Sequence, residues 1–410
     1  MASRAEKPGS SLLDTKRRNR ILIRNLIFRT PDATRVGIAD ELGLTLPTIT
    51  TSVNEMIREG LLEELPLAKE RRTGGAGRRP NIIAFRPDAA AAVGVELGPY
   101  ATRAVCMDLG GNVLASSATG VADEDYGKMI RDVALQIREV LPGDLSSFLG
   151  VSVGVPGFVD REAGVIRSNR RSDWSGRSFA ADLQKELGLP VIIDNNVRMR
   201  AIACDMIGGK SLPDMFAYFY ISHGLACPFM LKHEVISGTN SGSGEIGHMV
   251  LAQKDGRYME ADDLAGDGAV LRTLTEKMEA GELPELEEMV AGGKKPDMHI
   301  VLELQEKGNP VVNAVMEDAI DALGKVLANA VNLLNPGVVF VDGYVMKLEK
   351  NRALLSAATR RHLFGINEEE VQIRYLSFDH FRGAKAAAYL AVREWFLNAW
   401  DDSPEQAAQR

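Results

Sequence analysis

The chain has 410 residues, 45% of them hydrophobic, and a formal net charge of -8, which suits two or three domains with a substantial core. No apolar run reaches the roughly 18 residues of a membrane span, and the opening MASRAEKPGSS lacks the apolar core of a signal peptide, so a cytoplasmic protein is expected. Three scattered cysteines, Cys106, Cys204 and Cys227, offer neither a disulfide framework nor a CxxC zinc knot and are expected as reduced, buried thiols.

The charge is unevenly spread. Residues 1–86 hold 16 Lys/Arg against 10 Asp/Glu, while the remainder holds 32 against 46. A front module that meets a polyanion, joined to a body that does not, fits this division. From Leu12 to Arg29 the pattern predicts a helix with Leu13, Ile21, Leu22 and Leu26 on its apolar stripe. Lys16, Arg17, Arg18, Arg20 and Arg24 then form a basic exterior. The next stretch, TRVGIADELGLTLPTITTSVNEMIREGLL, predicts two short helices joined by a tight turn at Gly43, the helix-turn-helix pattern.

In the second of these helices Pro47, Thr48, Thr50, Thr51 and Asn54 lie off the apolar stripe formed by Ile49, Val53, Met56 and Ile57. Small hydroxyl and amide side chains at such positions can approach base edges and phosphates in a major groove. LLEEL and NIIAF read as two strands around a Gly- and Arg-rich loop, which makes a winged helix-turn-helix over residues 1–87. Arg78 and Arg79 in that loop are expected to contact phosphates or a narrow minor groove. Order, turn, polar face and basic wing together favour double-stranded DNA over the alternative of a helical hairpin and a solvated linker.

The body, residues 88–410, reads as α/β. AAVGVELGPYATRAVCMDLGGNVLAS predicts strand, break, strand, Gly110-Gly111-Asn112 turn and strand; FAYFYISHGLACPFMLKHEVISG repeats the rhythm. This weak duplication suggests two related lobes, roughly 88–196 plus the C-terminal helix, and 197–382. A long helix is expected from about Met316 to Leu334, then a strand over Val338 to Val341.

Within LPVIIDNNVR a short apolar strand ends in Asp194, Asn195 and Asn196, a place where α/β sheets commonly bind ligands. Three such groups can grip sugar hydroxyls, and read alone they equally suit a turn into the next helix. GTNSGSGEIGHMVL adds Glu245 and His248, which fit neighbouring hydroxyls, a metal, or a purely structural role; the lack of nearby cysteine argues against zinc.

Taken together, GRRP after the wing, VGVPGFVD, IIDNNVR, GEIGH, NLLNPGVVFVDG and GAKAAA resemble the regulator branch of the ROK family (repressor, open reading frame, kinase) across both modules. The resemblance implies a bilobal actin-like, ribonuclease H-like sugar-kinase fold behind the winged helix-turn-helix. It implies that Asn195 contacts sugar, together with Glu245, His248, Glu260 and, on the strand leading to the cleft, Asn169. The family's base aspartate is Asn196 here, and an amide is not a useful base near neutral pH. The first phosphate motif is altered at Glu96, Gly98, Pro99 and Tyr100, the second over Ser222–Pro228, and Asp342 replaces a glycine of the adenosine motif. The expected protein is a non-catalytic DNA-binding repressor with a sugar or sugar-derivative effector, no cofactor and no metal, assembled as a homodimer or homotetramer. The alternative is a kinase that still phosphorylates its sugar.

Overall fold

The computed structural model describes residues 12–66, 81–254, 256–290, 295–365 and 370–399. Its front module has three helices, α1 (Leu12–Arg29), α2 (Arg35–Leu42) and α3 (Leu46–Arg58). The Thr34 side chain caps α2 by accepting from the Gly37 N–H, and Gly43, at φ 64°, ends it in the left-handed region that glycine tolerates. Thr45 caps α3, and Pro47 occupies its first turn, where no helical N–H is lost. Strands β1 (Leu62–Pro66) and β2 (Asn81–Phe85) pair antiparallel as the stem of the wing. Arg78 and Arg79 lie outside the described residues.

The core of this module is Ile23, Ile27, Ile38, Ile49, Val53, Met56, Leu62 and Ile83. The buried face of α1 therefore differs from the expected stripe: Ile23 and Ile27 are inside, whereas Leu13 and Leu22 are exposed. Arg20 and Arg24, expected on a basic exterior, are buried as well. Each has a partner that a sequence pattern cannot display. Arg20 Nη1 bonds Oε1 of Glu59, the residue that caps the end of α3, at 3.0 Å, and Arg24 donates to the carbonyl of Ala399 near the other end of the chain.

By contact density the chain forms two units, one comprising 1–199, 203–211 and 383–410, the other 200–202 and 212–382. In the first, β3 (Ala91–Leu97), β4 (Thr102–Asp108), β5 (Val113–Thr119), β6 (Phe148–Val155) and β9 (Val191–Asn195) form a sheet in the order β5-β4-β3-β6-β9. All seven residues of β3 are buried, Glu96 included in an otherwise apolar run. Helices α4 (Tyr126–Val140) and α5 (Phe179–Leu187) cover the sheet, and the small hairpin of β7 (Phe158–Asp160) and β8 (Val165–Ser168) follows β6. Helix α6 (Asn196–Gly208) starts at the end of β9.

The second unit repeats the plan. Strands β10 (Met215–Ile221), β12 (Phe229–Leu231), β13 (Glu234–Val235), β16 (Val338–Gly343) and β17 (Gln372–Tyr375) run β13-β12-β10-β16-β17, with the short β11 (Leu225–Ala226) against β10. Each sheet thus has an antiparallel trio followed by two parallel strands, so the duplication read from the sequence is real at the level of topology. The turn at Lys232-His233 adopts positive φ at both residues, as a tight hairpin demands. Next come the hairpin of β14 (Val250–Lys254) and β15 (Arg257–Glu260), and the helices α7 (Ala261–Ala265), α8 (Asp267–Glu279), α9 (Pro284–Met289) and α10 (Met298–Glu306).

Helix α11 (Pro310–Leu334) begins six residues before the expected start, because Asn309 caps it and Pro310 opens it. It packs along α12 (Glu349–Arg360), and α13 (Arg382–Val392) returns the chain to the first unit. Cys106 and Cys227 are buried and Cys204 half-buried; all three are free. Burial pushes the Cys106 and Cys227 thiols up from their ordinary range, so neither is a reactive thiolate at neutral pH.

A buried amide pair ties α10 to α12. Gln305 and Asn351 exchange two hydrogen bonds of 2.9 Å, and Asn351 Nδ2 also donates to the Val345 carbonyl. Removing one partner strands the other. Asn351→Ala should therefore cost about 2–3 kcal/mol in denaturant unfolding, and the double change Gln305→Leu/Asn351→Leu clearly less than the two single losses added together.

Candidate functional site

The first candidate surface is on α3. Pro47, Thr51 and Asn54 are exposed and Thr48 and Thr50 half-buried, so the five positions named from the sequence lie on the side of α3 away from Ile49, Val53 and Met56. The Thr48 hydroxyl is 2.8 Å from the hydroxyl of the capping residue Thr45. Asn54 Oδ1 accepts from Arg35 Nη2 at 2.8 Å, and Arg35 also bonds the Thr50 carbonyl and Glu64. Arg35 thus orients the Asn54 amide, a role the sequence pattern did not single out. Its place immediately after the Thr34 cap was the available signal.

The rear of the module manages charge. Lys16 holds the Glu55 carboxylate at 2.8 Å, and this hydrogen bond keeps that carboxyl below its ordinary range. Arg20 does the same structural service for Glu59. The acids at the end of α3 are thereby neutralised, and a phosphate backbone approaching the helix meets less repulsion.

The second candidate region is the β9–α6 junction of the first unit. Asn195 caps α6: its Oδ1 accepts from the N–H groups of Val197 at 2.9 Å and Arg198 at 3.0 Å. Its Nδ2 donates to the Gly157 carbonyl at 3.0 Å. Asn169 donates through Nδ2 to the adjacent Pro156 carbonyl at 2.7 Å, and its Oδ1 accepts from the Arg171 N–H. These two asparagines, both expected to contact ligand, first of all clamp the Pro156-Gly157 turn. Asp194 is likewise spent, on the Arg198 guanidinium at 2.8 Å.

Asn196 differs from its neighbours. It is 7% exposed, and among the described residues its side chain makes no hydrogen bond. Of Asp194, Asn195 and Asn196, it is the one whose side chain is not committed to a hydrogen bond within the described residues.

The third region lies in the second unit. Glu245 precedes a 3-10 turn, Ile246–His248, and its carbonyl accepts from the His248 N–H at 3.3 Å. The β14–β15 hairpin carries the chain away from His248 and back to Glu260, bringing His248 Nδ1 to 2.8 Å from Glu260 Oε2. In the tautomer with Nδ1–H donating to the carboxylate, Nε2 is an acceptor for a ligand hydroxyl. Both side chains are about half exposed. The stretch between them is held by the strand pairing of the hairpin, and among the described residues no group of three or more His, Cys, Asp or Glu side chains is arranged to hold a metal.

In the segments altered relative to a phosphate-binding kinase, several backbone donors are occupied. The Gly98 N–H bonds the Ala101 carbonyl, closing the turn that contains Pro99 and Tyr100. In the second segment the Ser222 N–H goes to the Gly224 carbonyl, the Cys227 N–H to the Gly244 carbonyl, and Pro228 has none to give. The Leu225 N–H is taken at 2.8 Å by the carboxylate of Asp262, a residue not singled out from the sequence. That amide is therefore not offered to a phosphate. Asp342, in the adenosine position, is buried against Arg200 Nη1 at 2.9 Å and the Tyr218 hydroxyl at 2.6 Å. Burial and then the Asp342 charge push the Tyr218 phenol well up, so it stays a neutral donor.

Comparison with known proteins fits this geometry. Residues 92–394 match the ROK family, and residues 16–63 match a winged helix-turn-helix DNA-binding family. A putative xylose repressor of a Caldicellulosiruptor species is 24% identical over 341 residues, covering 80% of this chain and 83% of that protein. The DNA-binding transcriptional dual regulator NagC of Escherichia coli is 20% identical over 346 residues, 82% of each. Among solved structures, a ROK family transcriptional regulator homologous to the E. coli MLC protein superposes with a TM-score of 0.74 at 19% identity, covering 94% of this chain and 98% of that one. A ROK family glucokinase from Streptomyces griseus, bound to glucose and AMPPNP, gives 0.64 at 19% identity, over 74% of this chain and 100% of that one.

Two outcomes test these assignments. Asn54→Ala should weaken binding to a specific operator by about 1–3 kcal/mol in a fluorescence titration, with little effect on non-specific DNA. Restoring a carboxylate by Asn196→Asp should leave sugar phosphorylation undetectable in an ADP-release assay, since the amides above remain occupied.

Proposed function

Because the chain belongs to the ROK family and joins that body to a winged helix-turn-helix, we infer that it is a DNA-binding transcriptional regulator whose kinase-like body senses a sugar instead of phosphorylating it. The observation that carries this reading is the contrast between the two sides of the chemistry. The amide donors of Gly98, Ser222, Leu225 and Cys227 are taken from within, by Ala101, Gly224, Asp262 and Gly244. On the sugar side, the Asn196 side chain is not committed within the chain, and His248 meets Glu260 through one ring nitrogen only. A polar site that keeps its sugar contacts and lacks a base can bind without turning over.

Repressor is the favoured sign, since relatives over most of the chain are xylose and N-acetylglucosamine repressors. The effector is a sugar or sugar derivative recognised by Asn196, Glu245, His248 and Glu260. Asn195 and Asn169 hold the turn beside Asn196 and contact the sugar through whatever bonding capacity they retain. Thr48, Thr50, Thr51 and Asn54 read the major groove, with Pro47 placing the helix and Arg78 and Arg79 meeting phosphate. A homodimer suits a roughly palindromic operator with half-sites about one helical turn apart or a multiple of it.

The experiment is selection of fragmented genomic DNA on the purified protein at moderate salt, followed by release assays with D-xylose and N-acetylglucosamine first. Enrichment of a few palindromic sites, and loss of binding with one sugar, is the expected result. Absence of any enrichment by folded protein would contradict it. In the responding protein, Glu245→Ala or His248→Ala should abolish release by sugar while operator affinity stays within about 0.5 kcal/mol, as for changes remote from the DNA surface.

A further inference from the structure

Helix α6 has a feature at each end. Its first residue is Asn196, and its N-cap is Asn195. Its last turn carries Asp205, whose side chain is 2% exposed and pairs with Arg29 Nη2 at 2.9 Å. Arg29 is the last residue of α1, the first helix of the DNA-binding module. Immediately after α6, Gly209 at φ 51° packs so closely on the Arg29 backbone that any Cβ would overlap the Arg29 carbonyl oxygen. The Gly209 N–H closes the same joint by bonding the Asp205 carbonyl. Beside it, Lys210 pairs with Glu41 of α2 at 2.8 Å, with both side chains about half exposed.

The physical weight falls on the Asp205–Arg29 pair. Parting a buried carboxylate from a paired guanidinium is strongly unfavourable, so the Asp205–Arg29 contact holds the end of α6 to the end of α1. The helix between is continuous over 13 residues, about 20 Å at 1.5 Å per residue. Hydrogen-bonded along its length, it passes an axial shift or a rotation from one end to the other far better than a loop does. Its middle turn, 200–202, groups with the second unit, where Arg200 bonds Asp342.

We propose that α6 is the strut that couples the effector residues at the β9–α6 junction to the DNA-binding module, with Asp205 as a positioning residue that fixes its far end to Arg29. This rests on the sugar-sensing reading for its biological use, but the mechanical claim does not need the sugar. Coupling between two sites is reciprocal, so operator binding must be felt at the Asn195 end of α6 just as effector binding is felt at α1.

The test is hydrogen exchange of the full chain, free and saturated with an operator duplex obtained by genomic selection. In wild-type protein, duplex should change exchange by about fivefold or more at amides of 194–208 as well as in α1 to α3. In Asp205→Asn at saturating duplex, the change should persist in α1 to α3 and vanish from 194–203. Arg29→Lys, which keeps the charge, should retain much of it, and Lys210→Ala, at the exposed pair, should behave as wild type. If Asp205→Asn does not fold, Gly209→Ala opens the same joint from the other side and should show the same loss. A wild-type pattern in Asp205→Asn, or in wild-type protein a response confined to 382–399 with α6 silent, overturns the proposal. The duplex is the sole ligand, so a wrong effector assignment would fail in sugar titrations while leaving this result unchanged.

Discussion

One asparagine at the end of a strand sets much of what this protein can do. Asn195 offers one side-chain oxygen to two helix amides and its NH2 to the Gly157 carbonyl, so a single residue starts α6, ends β9 and fixes the neighbouring turn. Asn169 secures the adjoining carbonyl of Pro156. Capping amides left unmet at a buried helix start would cost free energy, and the arrangement meets them without a ligand. Asn196 is then the residue at this junction with its amide uncommitted, at the first position of a helix whose far end grips the DNA-binding module.

The loss of phosphoryl transfer is distributed over the molecule. Replacing a base by an amide removes one step of the chemistry, yet positioning and charge carry most of phosphoryl transfer. Here the groups that would position a phosphate have found internal partners. Asp262 holds the Leu225 amide, the turn after Gly98 closes on Ala101, and Asp342 is locked to Arg200 and Tyr218. A body freed from turnover can spend binding free energy on shifting a conformational equilibrium.

The DNA-binding module shows the same economy in its charges. Arginines on α1 that a helical projection places outside are drawn inside, Arg20 towards Glu59 and Arg24 towards the Ala399 carbonyl. Asn25 adds bonds to the Leu397 carbonyl and to Asn398, and Phe28 and Phe85 meet Tyr389 and Phe396 edge-on. Helix α1 thus fastens the module to residues 389–399.

The sequence by itself determined the element order, the duplicated strand rhythm, the helix-turn-helix with its caps, and the replacement of a base by Asn196. These are local facts: periodicity, turn residues and side-chain chemistry act over a few neighbours, and NIIAF and AAVGVEL are short runs between turn signals that form strands here. Tertiary structure alone decided which polar groups are already spent. That Asn195 and Asn169 clamp a turn, that Asp262 fills an amide 37 residues away, that Glu260 meets Nδ1 of His248, and that Arg29 meets Asp205 are pairings across long stretches of chain. A polar residue looks the same in a sequence whether its hydrogen bonds are made or still wanting, and its availability depends on partners that only folding brings within 3 Å.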